Sequence, residues 1–148
     1  MSTFTQILYQ LVFSTYKKHN TLIESGQERL YKYISGIIKK KNCHMYCING
    51  VENNIHIITH IHPVVAPAML VKDIKLAGSA FIKEEKLFPA FNGWQDGYGA
   101  FTYSIPAKDK LVEYVKNQKL HHQKVSFEDE YIELLKEHEI DIDERFFL

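Results

Sequence analysis

The sequence predicts an α+β fold, a ferredoxin-like βαββαβ sandwich with an antiparallel sheet and a C-terminal helical extension. Three observations carry that expectation. Segments of β-branched and aromatic residues alternate with segments whose apolar residues recur at three-and-four spacing, in the order β-α-β-β-α-β. Two of the β segments follow one another across a short turn, as an antiparallel pair does. Finally, 148 residues at 45% hydrophobic make one ordinary domain with a single core. Residues 1–106 read as the core and 107–148 as the appended helices.

Gln6-Ile-Leu-Tyr-Gln-Leu-Val-Phe-Ser14 is rich in β-branched and aromatic residues and reads as a buried strand. After a turn over residues 19–26, Leu30, Tyr33, Ile34, Ile37 and Ile38 mark an amphipathic helix. It ends in Lys39-Lys40-Lys41, where cations meet the negative end of the helix dipole. Residues 44–51 and 54–62 are two strands joined near Asn49-Gly50, residue types suited to turn geometry. Pro63 and Pro67 close the second of them. A helix from about Met69 to Lys86 turns Leu70, Ile74, Ala77, Phe81 and Ile82 inward. The loop of residues 89–97 leads to a short strand over 98–104. A long helix follows over 108–124, and Ser126 caps a last one running to about His138.

The net charge is zero, but it is unevenly spread. Residues 126–148 hold nine acids and two bases, which leaves the first 125 residues with sixteen bases against nine acids, a balance of +7 with histidines neutral. A basic body suits a polyanionic partner, although charged faces that merely solvate the surface give the same count. No apolar run approaches the ~20 residues of a membrane span. Met1-Ser-Thr-Phe-Thr-Gln6 lacks the pattern of a signal peptide, so a cytoplasmic protein without a membrane partner is expected. Cys43 and Cys47 fit reduced thiols there.

The chemistry-bearing residues fall in two places. On a helix, Tyr114 and Gln118 lie four apart and share a face. On a strand, Asn54 and His56 share a face about 6.6 Å apart along the chain, at ~3.3 Å per residue. A phenol, an imidazole and two amides can then converge for metal-assisted phosphodiester chemistry, with Tyr114 as nucleophile and His56, Gln118 and Asn54 holding a cation. Oxygen-rich ligation favours Mg²⁺ or Mn²⁺ over zinc. The same spacing also fits a tyrosine packed on the sheet and a solvated glutamine, the plainer account from spacing alone.

Other clusters fare less well. His60-Ile-His62 is the more obvious His-x-His pair, but His60 lies about 13 Å from His56 along a strand, too far to share one cation. Cys43 and Cys47 are separated by a similar ~13 Å, which excludes a zinc site there. Trp94, in a glycine-bordered loop, is a candidate for stacking on unpaired bases. Lys39, Lys40, Lys41 and Lys75, with Lys72, Lys83 and Lys86, are candidates for neutralising phosphates.

Taken in order, these residues resemble a known family, the single-tyrosine HUH transposases of small insertion sequences, also called tyrosine transposases that act on REP-like hairpins. The likeness runs through Leu11-Val-Phe-Ser-Thr15, Asn54-Ile-His-Ile-Ile-Thr-His-Ile-His-Pro63, Asp73-Ile-Lys75 and Trp94-Gln-Asp-Gly-Tyr-Gly-Ala-Phe101. It continues through Tyr114-Val-Lys-Asn-Gln118, His121-His122, Ser126-Phe-Glu-Asp-Glu130 and Asp143-Glu-Arg145. The resemblance implies a ferredoxin-like domain that recognises hairpins and cuts single-stranded DNA with Mg²⁺ or Mn²⁺, leaving a 5′-phosphotyrosine and a free 3′-OH. It implies that Tyr114 is the nucleophile, Gln118 the helix-borne metal ligand and His56 the second HUH histidine. It also implies a homodimer whose tyrosine helix packs against the partner's metal site.

Two departures accompany the match. Asn54 stands where the family has its first histidine, and an amide oxygen is a weaker neutral ligand. Leu76-Ala-Gly-Ser-Ala80 replaces the serine-rich run usual after that lysine. The leading expectation is therefore a transposase that cleaves and rejoins DNA strands. The alternative is a transposase-derived protein that grips hairpin DNA but cuts poorly because of Asn54, and a ferredoxin-like dimer without a DNA partner comes third.

Overall fold

The computed structural model describes residues 2–142. Four strands, β1 (Leu8–Ser14), β2 (His44–Val51), β3 (Asn54–His60) and β4 (Gly99–Tyr103), form one antiparallel sheet in the order β2-β3-β1-β4. Between them run α1 (Glu24–Lys40) and α2 (Pro67–Glu85), and after β4 come α3 (Lys108–Lys116), α4 (Gln118–His121) and α5 (Phe127–Glu137). This is the ferredoxin-like βαββαβ arrangement that the sequence predicts, followed by the helical extension. Among the described residues no helix is long and apolar enough to cross a membrane. The last piece of the resemblance, Asp143-Glu-Arg145, lies outside the described residues.

Strand periodicity divides the sheet into two faces. Leu11 and Phe13 of β1 and Ile55 and Ile57 of β3 point to α1 and α2, where they meet Leu30, Ile34, Ile38, Leu70 and Ile74 in the main core. Each fully buried aliphatic side chain there contributes roughly 1.5–3 kcal/mol of transfer free energy. The other face carries Leu8 and Ile58 under Val115 in one small cluster, and Val12 and Phe101 under Phe127 and Leu134 in another. Both faces are thus covered, and that is why β3 is buried along Asn54–Thr59 instead of alternating in and out. Gln10, Asn54 and His56 lie on the second face, fully buried beneath α3–α5.

Several boundaries differ from those the sequence predicts, each for a local reason. The β2–β3 turn is at Glu52-Asn53, not Asn49-Gly50, and Gly50 sits inside β2 opposite Ile55. A Cβ at Gly50 would collide with the backbone carbonyl of Asn54, so the glycine serves close strand approach instead of a turn. β3 stops at His60, and α2 starts at Pro67, a residue that favours the first helical turn because its missing N–H has no partner there anyway.

The largest difference is the predicted 108–124 helix, which breaks at Asn117 (φ −95°, ψ 18°) into α3 and the single turn α4. The cause is Asn49, whose Nδ2 donates to the carbonyls of Val115 and Lys116, both at 3.0 Å. Those are acceptors a continuing helix would have used for itself. Asn49 thereby ties the end of α3 to the sheet. Replacing Asn49 with Ala should cost about 1–2 kcal/mol in a urea melt and speed amide exchange at residues 117–121.

Candidate active site

The second face of the sheet supplies His56 from below, α3 supplies Tyr114, α4 supplies Gln118 and His121, and the turn after α4 supplies His122. They converge on Glu130, in the first turn of α5, whose side chain is only 2% exposed. The two carboxylate oxygens divide the partners. Oε1 faces His56 Nε2 at 2.8 Å and His122 Nε2 at 3.1 Å. Oε2 accepts hydrogen bonds from the Tyr114 hydroxyl and from Gln118 Nε2 (3.2 Å), and lies 3.3 Å from His121 Nε2. His121 Nε2 is also 3.2 Å from the Tyr114 hydroxyl.

Behind His56 the order continues. Gln10 Nε2 lies 3.1 Å from His56 Nδ1, and the Tyr103 hydroxyl donates to Gln10 Oε1 at 2.9 Å. A cleft of about 360 Å³ is lined by Gln10, Tyr103, Leu111, Tyr114, His121 and Glu130, among others. Through it the tyrosine reaches solvent.

Burial alone would raise the Glu130 carboxyl, but hydrogen bonds from His122 and His56, together with the His56 charge and the Tyr114 hydroxyl, hold it well below the usual carboxylate range. Burial, the hydrogen bond to Glu130 and that carboxylate's charge push the Tyr114 phenol upward. For His121, burial is the largest influence and lowers its pKa, with the Glu130 charge opposing it. At neutral pH the phenol is therefore a bound acid beside a carboxylate and an imidazole, and its ionisation needs positive charge nearby.

The predicted site residues separate into two groups. Tyr114, His56 and Gln118 meet. Asn54 is fully buried on the same face, but its Nδ2 donates to Asn53 Oδ1 at 2.8 Å and it makes no hydrogen bond to the Glu130 cluster. Asn54 Oδ1 and Gln118 Oε1 are both buried without a partner among the described residues. An unpartnered buried acceptor such as Gln118 Oε1, on the side chain that reaches Glu130, is chemically suited to a divalent cation. His56, His122 and Glu130 each offer a ligand atom within 4.8 Å of the others.

The predicted nucleic-acid contacts are placed differently. The Trp94 indole packs edge-on against Phe13 and Phe91 and donates to the Lys75 carbonyl at 3.0 Å, so its ring is engaged inside the fold. Lys75 Nζ donates to the carbonyls of Gln95 (2.9 Å) and Gly97 (2.6 Å), and burial lowers its pKa. Together the two residues fasten the 94–97 loop to α2. Lys41 pairs with Asp73 at 2.6 Å, while Lys39 and Lys40 are exposed. His60 Nδ1 accepts from the Ile7 N–H and His62 Nδ1 from the Val64 N–H, both structural roles. Cys43 and Cys47 are buried free thiols.

Glu130 and His122 are the residues that sequence reasoning passed over. One signal was present: Phe127, Glu130, Tyr131 and Leu134 form a three-and-four stripe, so an acid occupies an apolar position of an amphipathic helix.

A family model described as "Transposase IS200 like" matches residues 3–118. The fold is similar to the solved structure of a candidate transposase from Deinococcus radiodurans R1, with a TM-score of 0.60 and 20% identity over 80% of this chain and 95% of that one. It is equally similar to a REP-associated tyrosine transposase bound to a REP hairpin, with a TM-score of 0.61 and 12% identity over 84% of this chain and 76% of that one. At these identities the likeness is one of fold. A search among curated proteins returns no match.

Proposed function

Because this chain belongs to the IS200-like transposase family, we propose that it is a DNA strand transferase that cuts single-stranded DNA at hairpin ends and carries the cut strand on Tyr114. The observation that best supports this is the convergence of the Tyr114 phenol, the His56 imidazole and the Gln118 amide on one buried carboxylate. In this reading Tyr114 Oη attacks phosphorus, a 5′-phosphotyrosine bond forms, and the P–O3′ bond breaks as the 3′ oxygen leaves and takes a proton from water. The phenol proton passes to Glu130 Oε2, which already accepts its hydrogen bond. His121 Nε2, 3.3 Å from that oxygen, receives it next.

His56 and Gln118 would hold a divalent cation, Mg²⁺ or Mn²⁺, with the unpartnered Asn54 oxygen on the same strand face. When bound, such an ion polarises the scissile phosphate and offsets the charge that keeps the phenol protonated. Within one chain the Tyr114 and His56 rings lie with centroids 6.3 Å apart, which supports attack in cis, whereas the homodimer that the resemblance implies sets the tyrosine helix against the partner's metal site. Exposed Lys39 and Lys40 are suited to the hairpin's phosphates, and hairpin binding should weaken steeply as salt rises.

The test is a denaturing gel that looks for a covalent protein–DNA adduct, using single-stranded hairpins drawn from the DNA flanking the gene, with Mn²⁺ or with a chelator. A metal-dependent adduct with the native sequence is expected. One observation favours a second reading, a hairpin-binding protein that cuts poorly: the Asn54 amide is hydrogen-bonded to Asn53 Oδ1 and not to the Glu130 cluster. An adduct formed only by Asn54→His would support that reading and displace the first.

A further inference from the structure

We propose that His56 Nε2, His122 Nε2 and Glu130 Oε1 form a divalent-cation site of two imidazoles and one carboxylate, built in part from residues beyond the family-matched segment. It shares His56 with the cation of the reading above and assigns that ion His122 and Glu130 as further ligands; its role in strand transfer rests on that reading, the binding itself does not.

The first argument is spacing. Glu130 Oε1 lies 2.8 Å from His56 Nε2 and 3.1 Å from His122 Nε2. Ligands about 2.1 Å from a metal stand roughly 3 Å apart on adjacent corners of its coordination shell. The carboxylate oxygen has that separation from both imidazole nitrogens, and all three atoms lie within 4.8 Å of one another.

The second argument is hydrogen-bond accounting. His122 Nδ1 lies 2.9 Å from the carbonyl oxygen of Val125, which can only accept, so Nδ1 carries the proton. That leaves Nε2 as the ring atom turned to Glu130 Oε1, 3.1 Å away. A histidine whose second nitrogen donates to a backbone carbonyl is also the usual arrangement of a metal ligand, because that bond fixes both tautomer and ring orientation.

His56 has its outer support in Gln10, which Tyr103 orients. As placed, Gln10 donates to His56 Nδ1, so His56 Nε2 carries the proton and donates to Glu130. Binding moves that proton to Nδ1 and turns the Gln10 amide over, an exchange that the two ends of an amide allow.

The third argument is provenance. The family model ends at residue 118, and Asn54 stands where the resemblance expects a histidine. His122 and Glu130 come from the segment after that boundary and reach the same imidazole from above. Two nitrogens and one carboxylate suit Zn²⁺, Co²⁺ or Mn²⁺ better than Mg²⁺, which prefers an all-oxygen shell. The carboxylate keeps Oε2 for Tyr114, so one side chain joins ion and phenol.

The experiment uses the full chain without DNA. Co²⁺ is titrated while visible ligand-field absorption is recorded, and Zn²⁺, Mn²⁺ and Mg²⁺ are compared by calorimetry. One ion per chain is expected, with Zn²⁺ and Mn²⁺ bound more tightly than Mg²⁺. His122→Ala and Glu130→Gln should each weaken binding by at least about tenfold, while the control His44→Ala leaves it unchanged. If Glu130→Gln does not fold by circular dichroism, His122→Ala carries the test. Binding that survives both substitutions, or no Co²⁺ spectrum at all, would overturn the proposal. Adduct formation is scored separately: an adduct from a chain that binds no ion at these residues sinks the inference and spares the transferase reading, whereas ion binding without an adduct does the reverse.

Discussion

Replacing Tyr114 with Phe removes the covalent protein–DNA adduct and leaves hairpin binding intact. The ring keeps its place against His56 and His121, and only the hydroxyl that donates to Glu130 is lost. Losing an attacking group outright lowers turnover on the order of 10⁶-fold in well-studied hydrolases, so no adduct should be visible on a denaturing gel. Gel shifts with the same hairpin should give an unchanged affinity, because the exposed lysines proposed to meet its phosphates, Lys39 and Lys40, lie on another element. An adduct that persists in Tyr114→Phe would remove Tyr114 from the mechanism.

Truncating Glu130 to Ala should cost about 3–5 kcal/mol of stability, the usual loss when one member of a buried charged network is removed. Its carboxylate is shared by His56, His122, Gln118 and Tyr114, of which Tyr114 keeps a further contact, His121 Nε2 at 3.2 Å from its hydroxyl. The pH dependence follows from the direction of its shift. The folded-state carboxyl is held well below the unfolded one, so the stability it contributes is present above the unfolded value of about 4.3 and is lost as pH falls toward the folded value. Urea melts at pH 7 and at pH 3.5 should show the native protein losing more stability between the two than Glu130→Gln does. Equal losses would mean that Glu130 is not bound by the histidines as described.

The fold was legible because its signals are local. The three-and-four spacing of Leu30, Ile34 and Ile38 reports α1 whatever surrounds it, and the apolar run of β1 reports a strand covered on both sides. What escaped depends on partners far along the chain. The break after Lys116 is set by Asn49, 66 or more residues away, and nothing in 108–124 itself announces it. Glu130 looked like one more acid in Glu128-Asp129-Glu130, and only its meeting with His56, 74 residues earlier, separates it from its neighbours. Trp94 and Lys75 looked like groups offered to DNA, since sequence cannot show that each is already spent on the other's loop. Tyr114, His56 and Gln118 were legible as a set through the family resemblance, since the four-residue spacing that also linked Tyr114 to Gln118 falls across the break at Asn117.

The sheet's two covers are unequal, and this gives the molecule two levels of cooperativity. Beneath α1 and α2 lies the main core, whereas α3 and α5 rest on two small apolar clusters and the Glu130 network. A protein built this way opens in parts, the lightly packed part at lower free energy. The amides of β1 and β3 should exchange only when the whole chain unfolds, while those of α4 and α5 exchange in a smaller, more frequent opening. The tyrosine, the histidines and the carboxylate come together or apart with that smaller event. An ion or a hairpin that binds the assembled form would therefore be felt first as slower exchange across α4 and α5, with the strands beneath unchanged.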